Sequence, residues 1–158
     1  MPPRGLVVRA GVRGVGMRHA VVGAGGVGGL IGAALARSGA DVVLLMRERS
    51  LTGYPGQLSV SSVVLGEFTV DVPAVSRLDE SVDVLWVTTK AAGLSAVSEL
   101  APAEVVGRSE VIPLMNGVDH VAALREVYPT VVAGAMRVES ERVGPGRIVQ
   151  ASGMTANN

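Results

Sequence analysis

The chain has 158 residues, about the size of one compact domain. Apolar residues make up 48% and charged residues 18%, with zero formal net charge, so a core can be buried and nothing draws the chain as a whole to nucleic acid or a membrane surface. No cysteine is present, which excludes disulfides and thiolate metal sites. No apolar run reaches the ~20 residues of a membrane-spanning helix. His19 and His120 lie far apart without a carboxylate cluster, so no metal site is expected. Aromatic residues are scarce, and the core must be mostly Val, Leu and Ala.

Residues 1–16 carry Arg4, Arg9 and Arg13 with no opposing acid, and glycines interrupt every potential helix. The continuous apolar segment of a targeting peptide is missing. A disordered extension is expected there, with Met17 opening a domain that runs to residue 155 and a truncated tail at 156–158.

The stretch from His19 to Gly29 organises the rest of the chain. Ala20, Val21 and Val22 read as a buried strand, and Gly23, Gly25 and Gly28 then fit G-x-G-x-x-G, the dinucleotide-binding fingerprint. Gly23 lets the chain turn out of the strand. Gly25 lets backbone approach a pyrophosphate, and Gly28 lets the helix lie tight on the sheet. Free N–H groups at the helix start favour an anion. Three glycines in a chain with 21 are weak evidence alone. The context strengthens them: Val27, Leu30, Ile31, Ala34 and Leu35 recur at helical spacing, Gly39 suits a C-cap, and 41–46 form a second apolar strand. Strand, turn, helix and strand within about 30 residues make a βαβ unit.

Arg47-Glu-Arg49 comes directly after that strand, and then a loop with Gly53, Pro55 and Gly56. A carboxylate at the end of this strand would bind a ribose 2′-hydroxyl, whereas Arg47, helped by Arg49, can bind a 2′-phosphate, which favours NADP over NAD. Glu48 complicates this reading, because a carboxylate facing the same oxygen repels phosphate. The plainer role for both arginines is that of solvated loop residues. Residues 58–72 read as a hairpin or inserted ribbon, and Val82 to Val87 as a buried strand ending in Thr88-Thr89-Lys90.

Lys90 is the only lysine among fourteen basic residues. It falls at the carboxyl end of a strand, the edge where ligands bind in open α/β sheets. The plainer role is a solvated residue opening the next helix, Ala91 to Leu100. A loop framed by Pro102 and Gly107 leads to a fifth strand, Val111 to Met115, in which Pro113 is awkward. Asn116-Gly117 comes next; the Asn116 amide can orient a carboxamide or keto-acid oxygen, or simply form a turn. A helix from Val118 to Tyr128 carries Val121, Leu124 and Val127 on one face. Thr130 to Ala135 reads as a sixth strand, and Gly144-Pro-Gly turns into a last short one.

Gly23-Ala-Gly-Gly-Val-Gly28, Arg47, Val87-Thr-Thr-Lys-Ala91, Asn116-Gly117 and Gly144-Pro-Gly before Ile148 occur in one order. Together they resemble the ketopantoate reductases (2-dehydropantoate 2-reductases) over residues 17–155. The resemblance implies an α/β, doubly wound Rossmann-type fold, with a mostly parallel sheet and helices on both faces. It implies that Gly23, Ala24, Gly25, Gly26, Val27 and Gly28 hold the pyrophosphate of NADP(H), and Arg47 its 2′-phosphate. Lys90 would contact the cofactor, Asn116 would lie beside nicotinamide and substrate, and Ser140 falls near another cofactor contact. The family reaction is NADPH-dependent reduction of 2-dehydropantoate to pantoate, in pantothenate and coenzyme A biosynthesis, and it implies a cytoplasmic enzyme with a small 2-keto acid as substrate.

The resemblance implies a helical second domain that supplies a catalytic lysine and most of the substrate pocket; it is expected to be missing from these 158 residues, and Lys90 is not that lysine's counterpart. No catalytic residue is therefore assigned, and little turnover is expected from this chain alone. A different class of function is a non-catalytic NADP-binding module, completed by a partner chain or by a second copy. S-adenosylmethionine or FAD on the same fold is a third reading, against which Arg47 speaks, since neither carries a 2′-phosphate.

Overall fold

The computed structural model describes residues 16–89, 93–115, 119–134 and 136–151. The apolar run ahead of the glycines forms β1 (Arg18–Val22), in which Ala20, Val21 and Val22 are fully buried. Unbroken apolarity, rather than alternation, is what a strand covered on both faces requires. The chain then enters α1 (Gly26–Arg37) and leaves it through Ser38 and Gly39. Gly39 takes φ +93, its N–H bonds to Ala36 O, and Ala40 N–H bonds to Leu35 O. This is a Schellman closure, which asks for glycine at the left-handed position. β2 (Asp41–Leu45) returns parallel to β1. The βαβ unit expected from the glycine motif is present.

The sheet built on it is parallel throughout. β6 (Val84–Val87) lies on the other side of β1 with β7 (Glu110–Pro113) beyond it, while β5 (Ala74–Val75) lies outside β2. The order β5-β2-β1-β6-β7 reverses direction at β1, as a doubly wound sheet does. Pro113 causes no conflict. Leu114 N–H bonds inward to Val87 O, whereas Val111 bonds outward to Thr130 O and Val132 N–H. Pro113 shares the outward phase of Val111, so its missing N–H leaves the β6–β7 ladder intact.

One face of this sheet is covered by α3 (Leu94–Leu100), α4 (Ala103–Val106) and α5 (Asp119–Arg125). The other is covered by α1, and α1 is covered in turn by a second sheet of order β4-β3-β9-β8. β3 (Gln57–Ser62) and β4 (Gly66–Asp71) are the expected hairpin. β8 (Glu141–Gly144) and β9 (Arg147–Gln150) form a second hairpin, and β9 pairs parallel to β3.

Several expectations need correction. The buried stripe of α1 is Gly28, Gly29, Leu30, Gly32, Ala33 and Ala36; Val27, Ile31, Ala34 and Leu35 are only half-buried. A helix squeezed between two sheets needs small residues on two sides, so of the bulky residues only Leu30 is buried. Arg47-Glu-Arg49 does not run straight into a loop. Glu48 opens α2 (Glu48–Thr52), where an acid in the first turn suits the helix dipole. The segment between Pro102 and Gly107 is likewise helical, as α4.

The helix expected from Val118 to Tyr128 ends at Arg125, and its buried residues are His120 and Leu124, with Tyr128 beyond its end, while Val127 is 41% exposed. Tyr128 turns inward because its hydroxyl donates to Ala101 O at 2.7 Å, and burial pushes that phenol up to about 12. The sixth strand at 130–135 reduces to one bridge, Val111 to Val131. Val132, at 45% exposure, has nothing to cover it there. Residues 1–15, 91, 92, 118, 135 and 152–158, on which parts of these expectations fall, lie outside the described residues.

Candidate functional site

The carboxyl ends of β1, β2 and β6 meet the start of α1, and the glycines there do separate jobs. Gly23 has φ +95, and a Cβ on it would crowd Thr88 Oγ1 and Thr89 Cγ2 at 3.1 Å. The Thr88 hydroxyl sits 2.8 Å from both the Val22 and Gly23 carbonyls and pins this turn to the end of β6. A Cβ on Gly28 would overlap the Gly23 carbonyl, so the helix rests directly on the turn. Gly25 differs from both. Its φ is −77, and a Cβ there would meet nothing within 4 Å. The protein itself would accept a side chain at Gly25; the space in front of it is what one would fill.

That space is a cleft of about 490 Å³. Its floor is Gly23, Ala24, Gly25 and Gly26. Leu45, Met46, Arg47 and Ser50 form one side, and Thr89, Gly93, Ala96 and Leu100 the other. Ser140, Glu141 and Arg142 close over it from the second sheet. A Cβ on Gly26 would overlap the Ser140 carbonyl, so this segment is held against the first turn of α1. Val27 and Gly28 do not line the cleft; they belong to the helix beneath it.

Three features suit the cleft to an anionic dinucleotide. The start of α1 has no side-chain cap and no acid in its first turn, so its free N–H groups and positive dipole end face the opening. Thr89 Oγ1 and Ser140 Oγ are buried with no hydrogen-bond partner among the described residues. An unpaired buried hydroxyl costs about 1–3 kcal/mol unless something meets it, and two of them lining one cleft point to a polar ligand. Arg47, at the N-cap of α2, is exposed and makes no ion pair with a described residue. Glu48, in the first turn of α2, does not line the cleft, so the carboxylate that argued against a phosphate beside Arg47 is not in its wall.

The expected site residues thus divide into three groups. Gly23, Ala24, Gly25, Gly26 and Arg47 come together around one cleft. Val27 and Gly28 support it from below. Lys90 and Asn116 lie outside the described residues; Thr89 and Met115 precede them, just past the ends of β6 and β7. Thr89, Ser50 and Arg142 were not anticipated. Thr89 stood in plain view beside Lys90 in Thr88-Thr89-Lys90, whereas nothing local marks Arg142, which arrives through the pairing of β8 with β9.

The sequence model of the family described as ketopantoate reductase PanE/ApbA matches residues 19–157. The chain belongs to that family. As a ketopantoate reductase family member it is 31% identical, over 139 residues, to the uncharacterized oxidoreductase YkpB of Bacillus subtilis (strain 168), covering 84% of this chain and 45% of that protein. Its fold matches the crystal structure of 2-dehydropantoate 2-reductase from Geobacter metallireducens GS-15 with a TM-score of 0.74 at 28% identity, covering 85% of this chain and 46% of that one. The ternary structure of D-mandelate dehydrogenase with NADH and anilino(oxo)acetate shares the fold at a TM-score of 0.70 and 24% identity, over 86% of this chain and 46% of that one. The chain spans about half the length of the relatives it matches.

Proposed function

We propose that this chain is the nucleotide-binding half of a ketopantoate-reductase-type oxidoreductase, and that the cleft at the start of α1 takes NADP(H). The observation that carries the reading is Gly25: a position whose backbone would accept a side chain, left bare where an uncapped helix end faces a cleft. Bound there, the reduced cofactor would supply a hydride for the carbonyl of a 2-keto acid such as 2-dehydropantoate. The backbone N–H groups at the start of α1 would hold the pyrophosphate, and the Thr89 and Ser140 hydroxyls would find the partners they lack. Arg47 would grip the 2′-phosphate through charge-assisted hydrogen bonds. Lys90 and Asn116 are assigned, by the family resemblance, to the cofactor and to the nicotinamide and substrate.

Reduction of a ketone also needs a proton for the developing alkoxide. Neither described tyrosine offers one. Tyr54 donates its hydroxyl to Val72 O and Tyr128 to Ala101 O, and burial raises the pKa of both. By the family resemblance, the proton donor and most of the substrate contacts are assigned to the region that longer relatives carry beyond the matched half. A second reading, a nucleotide-binding module completed by a partner chain, draws on the exposure of Val127, Val132 and Met136, at 41%, 45% and 40%.

Isothermal titration tests the cofactor assignment. NADPH should bind more tightly than NADH by about tenfold or more, the worth of a charge-assisted contact, and Arg47→Gln should reduce that preference. Equal affinities in the wild type would remove the 2′-phosphate assignment, and no binding of either would remove the whole reading. Ketopantoate turnover by the chain alone should be negligible. A normal rate would contradict the proposed division of labour.

A further inference from the structure

Beside the main cleft lies a second cavity of about 440 Å³, and the two share Ala24, Met46, Ser50 and Arg142 as a common wall. Arg47 lines only the first and Arg49 only the second; Arg142 is the arginine that faces both. We propose that Arg142 is a second phosphate-binding arginine, acting from the second sheet to help select NADPH over NADH; this rests on the reading that the cleft takes NADP(H).

The charges around it favour an anion. No carboxylate lines the second cavity, which has two guanidiniums, Arg49 and Arg142, together with the apolar surfaces of Met46, Leu58 and Pro145 and the Tyr54 ring. Glu141 lines the first cavity and not the second. A phosphate on the second cavity's side of the shared wall would therefore face positive charge, beside apolar surface able to take the adjoining base. Among the described residues, Arg142 makes no hydrogen bond or ion pair with another side chain.

Its position is also fixed. Just before it, the Ser140 carbonyl packs against Gly26 at the first turn of α1. Just after it, the β8–β9 register shifts, with Arg142 opposite Ile148 but Gly144 opposite Arg147. Such an irregularity on an edge strand redirects side chains locally. The backbone that carries Arg142 is thus constrained on both sides, and Arg47 and Arg142 line the same cleft from different elements. Two guanidiniums on one cleft can share a phosphate that either alone would hold less well.

Titration of the full chain with NADPH, NADH, adenosine 2′,5′-bisphosphate and AMP tests the proposal. Arg142→Gln should weaken NADPH and the bisphosphate by about tenfold, as expected for a lost charge-assisted contact, and leave NADH and AMP within about twofold. Arg142→Lys, which keeps the charge and the aliphatic stem, should fall between the two, and NADPH binding should depend less on salt in Arg142→Gln than in the wild type. If Arg142→Gln weakens NADH as much as NADPH, or weakens neither, Arg142 is not a 2′-phosphate ligand, even where the wild type still prefers NADPH. If the wild type shows no preference for NADPH, the cofactor reading fails first and this proposal falls with it.

Discussion

On one face of the parallel sheet, Val97, Val106, Leu124 and Tyr128 press onto Leu85, Val87 and Val111. On the other, α1 offers Gly28, Gly29, Gly32, Ala33 and Ala36 to Val21 and Leu44, with Leu58 and Ile148 of the second sheet beyond it. The first face is held by side chains that fill space. The second is held by side chains that are missing, so that a helix fits between two sheets. At its far end the same helix is tied to the β3–β4 turn by Arg37, which donates to Leu65 O at 2.9 Å and lies 4.2 Å over the Phe68 ring. One face should therefore fail when atoms are removed, and the other when atoms are added. The cleft sits on the second kind of face, because bare backbone is also what brings phosphate close.

The largest effect should come from adding atoms at Gly28. In Gly28→Val the new side chain meets the Gly23 carbonyl, a backbone atom that cannot swing aside. Destabilisation of about 3 kcal/mol or more is expected by denaturant titration, a large share of a domain's total stability. A variant within about 1 kcal/mol of wild type would show that the helix does not rest on the turn.

Removing atoms from the other face comes next. Leu124→Ala, at a side chain 3% exposed, should cost about 2–3 kcal/mol through lost burial and the cavity left behind. A cost no larger than that of an exposed site would break the contrast between the faces.

The smallest effect concerns pH. His19 Nδ1 accepts the Trp86 Nε1–H at 3.0 Å, and the two rings stack at 6.2 Å between centroids. Burial lowers the His19 pKa below its ordinary 6.5, opposed more weakly by Asp83 and Asp41. The unfolded chain thus takes up this proton first, so the His19 contribution is fully present above pH 6.5 and is lost as pH falls through and below that value. The loss should be accompanied by a change in emission from Trp86, the only tryptophan. His19→Gln should lack this component, and an identical acid slope in that variant would contradict the assignment.

What could be read from the sequence was what depends on neighbours in the chain. The turn at Gly23, the Schellman glycine Gly39 and the apolar runs of β1 and β2 are local devices, and each formed where its residues implied. The spacing of Val27, Leu30, Ile31, Ala34 and Leu35 marked α1, but it could not show which face is buried: of these only Leu30 is, because a helix pressed from two sides buries mostly its smallest residues. The second sheet was legible only in halves. β3 and β9 meet across most of the chain, as the Ser62 hydroxyl bonded to Gln150, 88 residues away, makes plain. The site obeyed the same rule: Gly23 to Gly26 and Arg47 are consecutive with their strands, while Ser140 and Arg142 reach the cleft only through that distant pairing. Thr89 was passed over because a hydroxyl announces itself only when its lack of a partner can be seen.

Nucleotide titration of Gly25→Val, paired with its thermal midpoint, tests most directly the claim that the cleft is a phosphate cradle opened by missing side chains. The added Cβ meets nothing within 4 Å and the backbone there is extended, so the midpoint should stay within a few degrees of wild type. NADPH affinity should fall by about 100-fold or more, roughly 2.7 kcal/mol, as the side chain takes the place of the pyrophosphate. A folded Gly25→Val that binds NADPH like the wild type would contradict the account.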